Sequence, residues 1–204
     1  MAKISHSLFR RATIAAVFTA VVAAPASAQD MTPAELVEAL QGGGLIAYIR
    51  HATTEKDYAD QVTADPLDCS TQRTLSEEGW REAKAIGEGF RESEIPVGEV
   101  ISSQYCRAWQ TADLAFGRYE PNPIFNFLPA EEYTDEEMQQ KRDRQLPVVL
   151  APIEEGNRVI VGHDDPFEAL TGIYPEPMGV TYVLRPAGDD VEVLGSIPPD
   201  YWTQ

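Results

Sequence analysis

Two pairs of residues carry most of the chemistry this chain offers, Arg50-His51 and His163-Asp164. The 204-residue sequence holds three histidines, His6, His51 and His163, and the last two follow apolar runs, "LIAYI" and "RVIVG". A third polar group, Ser102-Ser103 with Arg107 shortly after, follows "VGEVI". Imidazole and guanidinium groups together suit phosphoryl transfer. A phosphate dianion takes several fixed donors, and arginine's planar fork supplies them bidentately without deprotonating. A neutral imidazole is a nucleophile near pH 7, and its attack divides one hydrolysis into two displacements. A second imidazole, protonated, stabilises charge on the transferring group. The rival use of two histidines is metal ligation, which takes three or four ligands and is opposed by neighbouring arginines. Neither a metal nor another cofactor is therefore expected.

The elements around these residues must bring them together. The three apolar runs read as strands, at residues 45–49, in "VGEVISS" and in "RVIVGH". Between them lie helical patterns. "TPAELVEALQGGG" places Thr32 at an N-cap, Pro33 at the first helical position and Glu35 in a capping box. In "LSEEGWREAKAIGEGF" Ser76 caps a helix with acids in its first turn, and Trp80, Ala83, Ile86 and Phe90 form its core stripe. "YCRAWQTADLAF" is a helix that begins near Tyr105 and offers backbone N–H groups to an anion. "IFNFL" reads as a short strand, "DEEMQQKRDRQL" as a helix interrupted by Pro147, and a short helix runs through 167–170. "VTYVLRP" and "VEVLGSI" close the chain as strands joined around "AGDD".

Strands alternating with helices predict an α/β fold, a three-layer α/β/α sandwich with a mostly parallel central sheet. In such sheets ligands bind beyond the carboxyl ends of the strands. That edge is where Arg50-His51, Ser103, Arg107 and His163 fall.

Composition narrows the partners. Residues 1–28 have a basic start (Lys3, Arg10, Arg11), an apolar run over 12–24 and a small-x-small ending, Ala26-Ser27-Ala28. This is the pattern of a cleaved signal peptide, and its apolar run is too short to span a bilayer. It predicts an exported, periplasmic or secreted protein with a single domain over 29–204. That segment keeps 13 basic against 33 acidic residues, a net charge of −20. Such a surface repels nucleic acid and anionic membranes. An anionic substrate has to be captured by a local arginine cluster working against the global field. The even cysteine count, Cys69 and Cys106, in an exported chain suggests a disulfide, with two free thiols as the alternative.

"LIAYIRHAT", "ISSQYCRAWQTADLAF" and "VIVGHDDPFEALTG" resemble, in order, the motifs of the histidine phosphatase (phosphoglycerate mutase-like) superfamily. Cys69 in "DCSTQRTLSEEG" together with "YCRA" resembles a branch of small exported members. The resemblance implies a phosphomonoester hydrolase with His51 as nucleophile, forming phosphohistidine. Arg50, Arg107 and His163 would complete the phosphate pocket, with Ser103 either a helper or a helix-capping residue. Ala52 stands where the family usually has glycine. For the proton donor three acids stay open: Glu131 and Glu132, at the distance used by the mutase-like branch, and Asp164, placed as in the acid-phosphatase branch. The implied partner is a small phosphorylated substrate, taken without metal or nucleotide. A non-catalytic phosphate-ester-binding module of the same fold is the alternative. Loops at 53–67 and 121–133, with Tyr58, Tyr119, Phe125 and Phe127, are the places to look for specificity.

Overall fold

The computed structural model describes residues 31–127 and 133–203. The predicted signal peptide and both Glu131 and Glu132 lie outside the described residues. The described chain folds as a three-layer α/β/α sandwich around one six-stranded sheet.

The opening helix α1 (Pro33–Gln41) has both halves of its capping box, Thr32 Oγ1 and the Glu35 carboxylate. It leads into β1 (Ile46–Arg50), which is buried at every position. Helix α2 (Glu77–Glu92), capped by Ser76, returns to β2 (Val97–Ser102), and α3 (Cys106–Phe116) to the short β3 (Glu120–Pro121). Then follow α4 (Asp135–Val149), β4 (Asn157–Gly162), α5 (Asp164–Thr171), β5 (Thr181–Ala187) and β6 (Asp190–Ile197). The strand order is β3-β2-β4-β1-β5-β6. β1 pairs in parallel with β4, and β2 in parallel with β4 and β3; β5 runs antiparallel to β1 and β6. The last two strands form the expected hairpin.

Side-chain alternation along the strands divides the core in two. Ala47 and Ile49 of β1, with Val159 and Val161 of β4, meet α1, α2 and α3 through Leu36, Leu40, Ile86, Phe90, Ala108 and Ala112. Ile46 and Tyr48, with Ile101 and Ile160, meet α4 and α5 through Val149, Phe167 and Leu170 on the other face. Strands buried on both faces read as unbroken apolar runs, which is why β1 and β4 stood out in the sequence.

Three local expectations fail. Trp80 is 44% exposed, so the α2 stripe is carried by Ala83, Ile86 and Phe90 alone. Trp80 falls in the first turn of α2, beyond the edge of the sheet-facing stripe. "IFNFL" is no strand over its described part: Pro123–Phe125 is a 3₁₀ turn whose N-cap, Asn122, accepts the N–H of Ile124. Proline at its start favours that turn over a ladder position. Pro147 does not end α4, which continues to Val149 and closes with the Leu150 N–H on the Leu146 carbonyl. The proline sits in the last turn, so it removes one backbone bond and leaves little helix after it to disrupt.

Candidate active site

β1 and β4 are neighbours in register, and Arg50 lies opposite Gly162. The two strands therefore deliver His51 and His163 side by side; the His51 N–H bonds the Gly162 carbonyl at 3.0 Å. Their imidazole centroids lie 5.3 Å apart with the rings tilted 64°. Gly162 permits this approach, because a Cβ there would overlap the hydroxyl of Tyr48, which itself donates to the His163 carbonyl at 3.0 Å. Arg107 comes from the first turn of α3, after β2 on the other side of β4, and its Nε reaches His51 Nε2 at 3.2 Å. All of these side chains are buried, at 6% exposure or less. His51, His163 and Arg107 meet directly, and the charge of Arg50 is felt at both imidazoles, at the carboxyl ends of β1, β4 and β2.

His51 is held in one tautomer. Its Nδ1 lies 2.9 Å from the carbonyl oxygen of its neighbour Ala52, which can only accept, so Nδ1 carries the proton and Nε2 the lone pair. Ala52 takes its place without a positive φ, and its N–H bonds Thr111 Oγ1 at 3.1 Å. Burial, then the charges of Arg107, Arg50 and Arg73, push the His51 pKa well below its usual 6.5, against a smaller upward pull from the Ala52 carbonyl. Burial and the charge of Arg107 push His163 down in the same way. Both imidazoles are neutral at neutral pH.

Each arginine is oriented by a carboxylate. Arg50 donates from Nη2 to Asp164 Oδ2 at 2.8 Å and from Nη1 to the Pro175 carbonyl at 2.7 Å, while its Nε is buried without a partner among the described residues. Arg107 donates from Nη1 to Asp60 Oδ1 at 2.9 Å. The same Asp60 oxygen accepts the backbone N–H of Arg73 at 2.8 Å. Asp164 Oδ2 also accepts the hydroxyl of Tyr174 at 2.8 Å, so the acid beside His163 serves to anchor Arg50. Ser103 contacts His163 Nε2 at 2.8 Å and accepts the Tyr105 N–H at 3.2 Å; the N-cap of α3 is Tyr105, so Ser103 is a turn residue ahead of the helix and not its cap.

The predicted disulfide is present. Cys69 and Cys106 are bonded, with Cα atoms 5.7 Å apart and a sequence separation of 37. Gln72 Oε1 accepts the Cys106 N–H at 2.8 Å beside it. Together they clamp the loop carrying Arg73 onto the start of α3. Phe127 covers both Arg107, 4.8 Å from its guanidinium carbon to the ring centroid, and His163, at 5.0 Å between rings. Phe125, by contrast, is core, and Tyr119 stacks on Trp109. Tyr58 bonds Thr74 in the loop over the site.

Asp60, Gln72, Arg73, Asn126, Phe127 and Tyr174 give the site its shape, and sequence reading assigned a site role to none of them beyond naming Phe127 as a pocket-lining candidate. All lie outside regular helices and strands, where no periodicity marks which side chains turn inward.

Residues 46–126 match the model of the histidine phosphatase superfamily, branch 1. Over that stretch the chain is similar to the histidine phosphatase superfamily. The matched stretch holds Arg50, His51, Ser103 and Arg107; His163 lies beyond it and is brought in by β4. No curated protein matches the sequence. Among solved structures, a phosphoserine phosphatase mutant of Entamoeba histolytica bound to phosphoserine superposes with a TM-score of 0.60 at 11% identity, covering 77% of this chain and 98% of the other. A mycobacterial glucosyl-3-phosphoglycerate phosphatase in complex with VO3 gives 0.57 at 14% identity, with 73% and 96% covered. The crystal structure of a putative α-ribazole-5′-phosphate phosphatase from Escherichia coli gives 0.56 at 13%, with 76% and 97% covered. At these identities the likeness is one of fold, and it places the six-stranded sheet and its helices in the phosphoglycerate mutase-like class.

Proposed function

We propose that this protein is an exported phosphomonoester hydrolase working through a phosphohistidine on His51. The observation that carries the reading is the locked tautomer of His51: its Nε2 lone pair meets the guanidinium of Arg107. In the first step Nε2 attacks phosphorus, the P–O bond to the leaving group breaks, and the leaving oxygen takes a proton from a general acid. In the second step the deprotonated acid takes a proton from water, which attacks phosphorus; the P–N bond breaks, giving inorganic phosphate and restoring both the neutral imidazole and the acid. Arg50, Arg107 and His163 hold the non-bridging oxygens. Arg73 adds a third positive charge on the Asp60 side, where its Nε is buried without a partner among the described residues. We assign the general acid to Glu131, because Asp164 Oδ2 is already engaged by Arg50 and Tyr174. A cleft of about 450 Å³ bordered by Arg50, Glu176, Pro177 and Met178 gives a leaving group room beside the pocket. The signal-like first 28 residues and the disulfide both suit an oxidising compartment outside the cytoplasm.

The test is chemical. Mass spectrometry after a quench that avoids acid should find phosphate on His51 during turnover of an aryl phosphate, and His51→Ala should abolish release. Hydrolysis that survives the substitution sinks the mechanism. Phosphate binding with no release from any ester instead identifies a binding module.

A further inference from the structure

Hydrogen-bond accounting around His163 reaches beyond its place in the pocket. The chain of contacts starts at a group whose role cannot vary, the backbone N–H of Gln104. It donates to Oδ1 of Asn126 at 2.9 Å, and Asn126 Nδ2 donates to Gln104 Oε1 at 3.0 Å, so the amide orientation of Asn126 is settled. Ser103 Oγ lies 2.9 Å from that same Oδ1. An amide oxygen only accepts, so the single hydroxyl proton of Ser103 goes to Asn126. Ser103 Oγ already accepts the Tyr105 N–H. Toward His163 Nε2, 2.8 Å away, it therefore has only a lone pair to offer. The proton of neutral His163 is on Nε2. Its Nδ1 is buried and has no partner among the described residues.

We infer that Asn126, acting through Ser103, is a positioning residue that fixes the tautomer of His163. A consequence follows for the ligand. With Nε2–H committed to Ser103, Nδ1 of neutral His163 is a lone pair and repels a phosphate oxygen. His163 becomes a donor to bound phosphate only by gaining a second proton on Nδ1. Binding of a phosphate dianion is thus coupled to uptake of one proton, and the imidazolium so formed is the stabilising charge. This rests on the phosphatase reading of the site and specifies how the site handles charge.

The surroundings of His163 set the balance. Arg107 on α3, Arg50 and His51 at the end of β1, and Lys141 on α4 all disfavour the imidazolium, after burial itself. Lys141 is partly offset by Asp165 of α5, 3.4 Å away, and donates to the Asn126 carbonyl at 2.5 Å. Asp164 of α5 is taken up by Arg50. The uncharged rings of Tyr105 and Phe127 pack against it. Among the described residues no carboxylate bonds His163 directly, and a bound dianion is the charge that brings the proton in.

Two measurements on the whole protein decide the matter, and neither requires turnover. In ¹⁵N-histidine spectra of the unliganded protein at mildly alkaline pH, neutral His163 should carry its proton on Nε2. A proton on Nδ1 overturns the inference and leaves the hydrolase reading untouched. Calorimetry of inorganic phosphate binding, in buffers of different ionisation enthalpy, should show uptake of about one proton in the wild type. In Asn126→Leu the Ser103 proton is released to Nε2, the imidazole proton moves to Nδ1, and uptake should fall close to zero. Asn126→Asp keeps the acceptor and should keep the Nε2–H tautomer, while its added negative charge, one hydroxyl away from His163, lowers the uptake. Equal uptake in wild type and Asn126→Leu defeats the proposal. If Asn126→Leu does not fold, the wild-type spectrum and Asn126→Asp still decide it.

Discussion

Arg107 donates its Nε–H to Nε2 of His51 across 3.2 Å, so the lone pair of the proposed nucleophile is engaged by the proposed oxyanion ligand. Asp60 holds the other side of the same guanidinium at 2.9 Å. An entering phosphate offers Arg107 an anionic acceptor in place of a neutral one. The guanidinium is charged in both bonds, but only phosphate adds an opposite charge, so the exchange runs toward the ligand and frees His51 for the proposed attack.

Arg107→Lys follows directly. Lysine keeps the charge but loses the fork that serves Asp60 and the phosphate together. Loss of one preorganised donor typically costs about 100-fold or more, so kcat/KM for an aryl phosphate should fall at least that far. Vanadate inhibition should weaken in parallel. A lysine variant within a few-fold of wild type would show that charge alone is needed there.

How the rate depends on acid follows from the direction of the His51 shift. The attacking form is the neutral one, and burial with three arginines nearby holds the folded pKa well below 6.5. Protonation of the nucleophile therefore begins only on the acid side of that value, and activity should persist through mildly acidic pH. The same direction fixes the sign for stability. The unfolded chain binds protons on His51 and His163 below about pH 6.5 while the folded chain resists them, so their contribution falls as pH drops through that range. The difference in melting temperature between wild type and His163→Gln, followed from pH about 8 to 5, should shrink or reverse toward acid. A constant difference would mean that His163 is not driven neutral by the fold.

Much of this pocket was legible because three strand ends are adjacent in an α/β sheet wherever the connections are helical, and each carried its own polar signature. The fold class and the hairpin of β5 and β6 followed from periodicity in the same way. What stayed hidden has one cause. Asp60, Arg73 and Asn126 act through single directed bonds made from loops, and a loop's inward-facing residues are chosen by its three-dimensional path. Pro147 and Trp80 show the opposite error: a rule for helix interiors was applied to positions in a last and a first turn.

The disulfide should support the pocket more than the fold. Closing a 37-residue separation restrains the unfolded chain by about 4 kcal/mol in the chain-entropy model, yet its local role is to hold the Arg73 loop against the residue before Arg107. Gln72 bonds the Cys106 N–H from the same loop and keeps a residual link. Reduction, or Cys69→Ala with Cys106→Ala, should raise KM and loosen vanadate binding at temperatures where circular dichroism still shows a folded protein. Unchanged activity and melting temperature in the reduced protein would remove that role.

The general acid is separable by leaving group. An alkyl phosphate leaves as a basic oxygen and requires a proton, whereas an aryl phosphate scarcely does. Glu131→Gln should slow an alkyl ester by about 100-fold or more and an aryl ester by much less. Asp164→Asn, which loosens the anchor of Arg50, should slow both to a similar extent. If the two variants exchange these patterns, the acid is Asp164.

Gly79 supplies a stability test in which two effects oppose each other. It lies in the first turn of α2, where alanine is normally favoured over glycine by about 1 kcal/mol. Here a Cβ would overlap the carbonyl oxygen of Thr53. That oxygen is already fixed by the Ser76 N–H at 3.0 Å and the Ser76 hydroxyl at 3.1 Å, so it has no free path away. Thr53 in turn continues the backbone from His51 and Ala52, and its N–H is held by Glu82 at 2.8 Å. Overpacking against fixed backbone costs roughly 1–3 kcal/mol or more, which exceeds the propensity gain. Gly79→Ala should therefore lower the melting temperature and, by displacing the segment that carries the nucleophile, lower kcat as well. An alanine variant as stable as wild type would mean that α2 can slide away from β1 without cost, and that the close approach of Gly79 to Thr53 does not hold His51 in place.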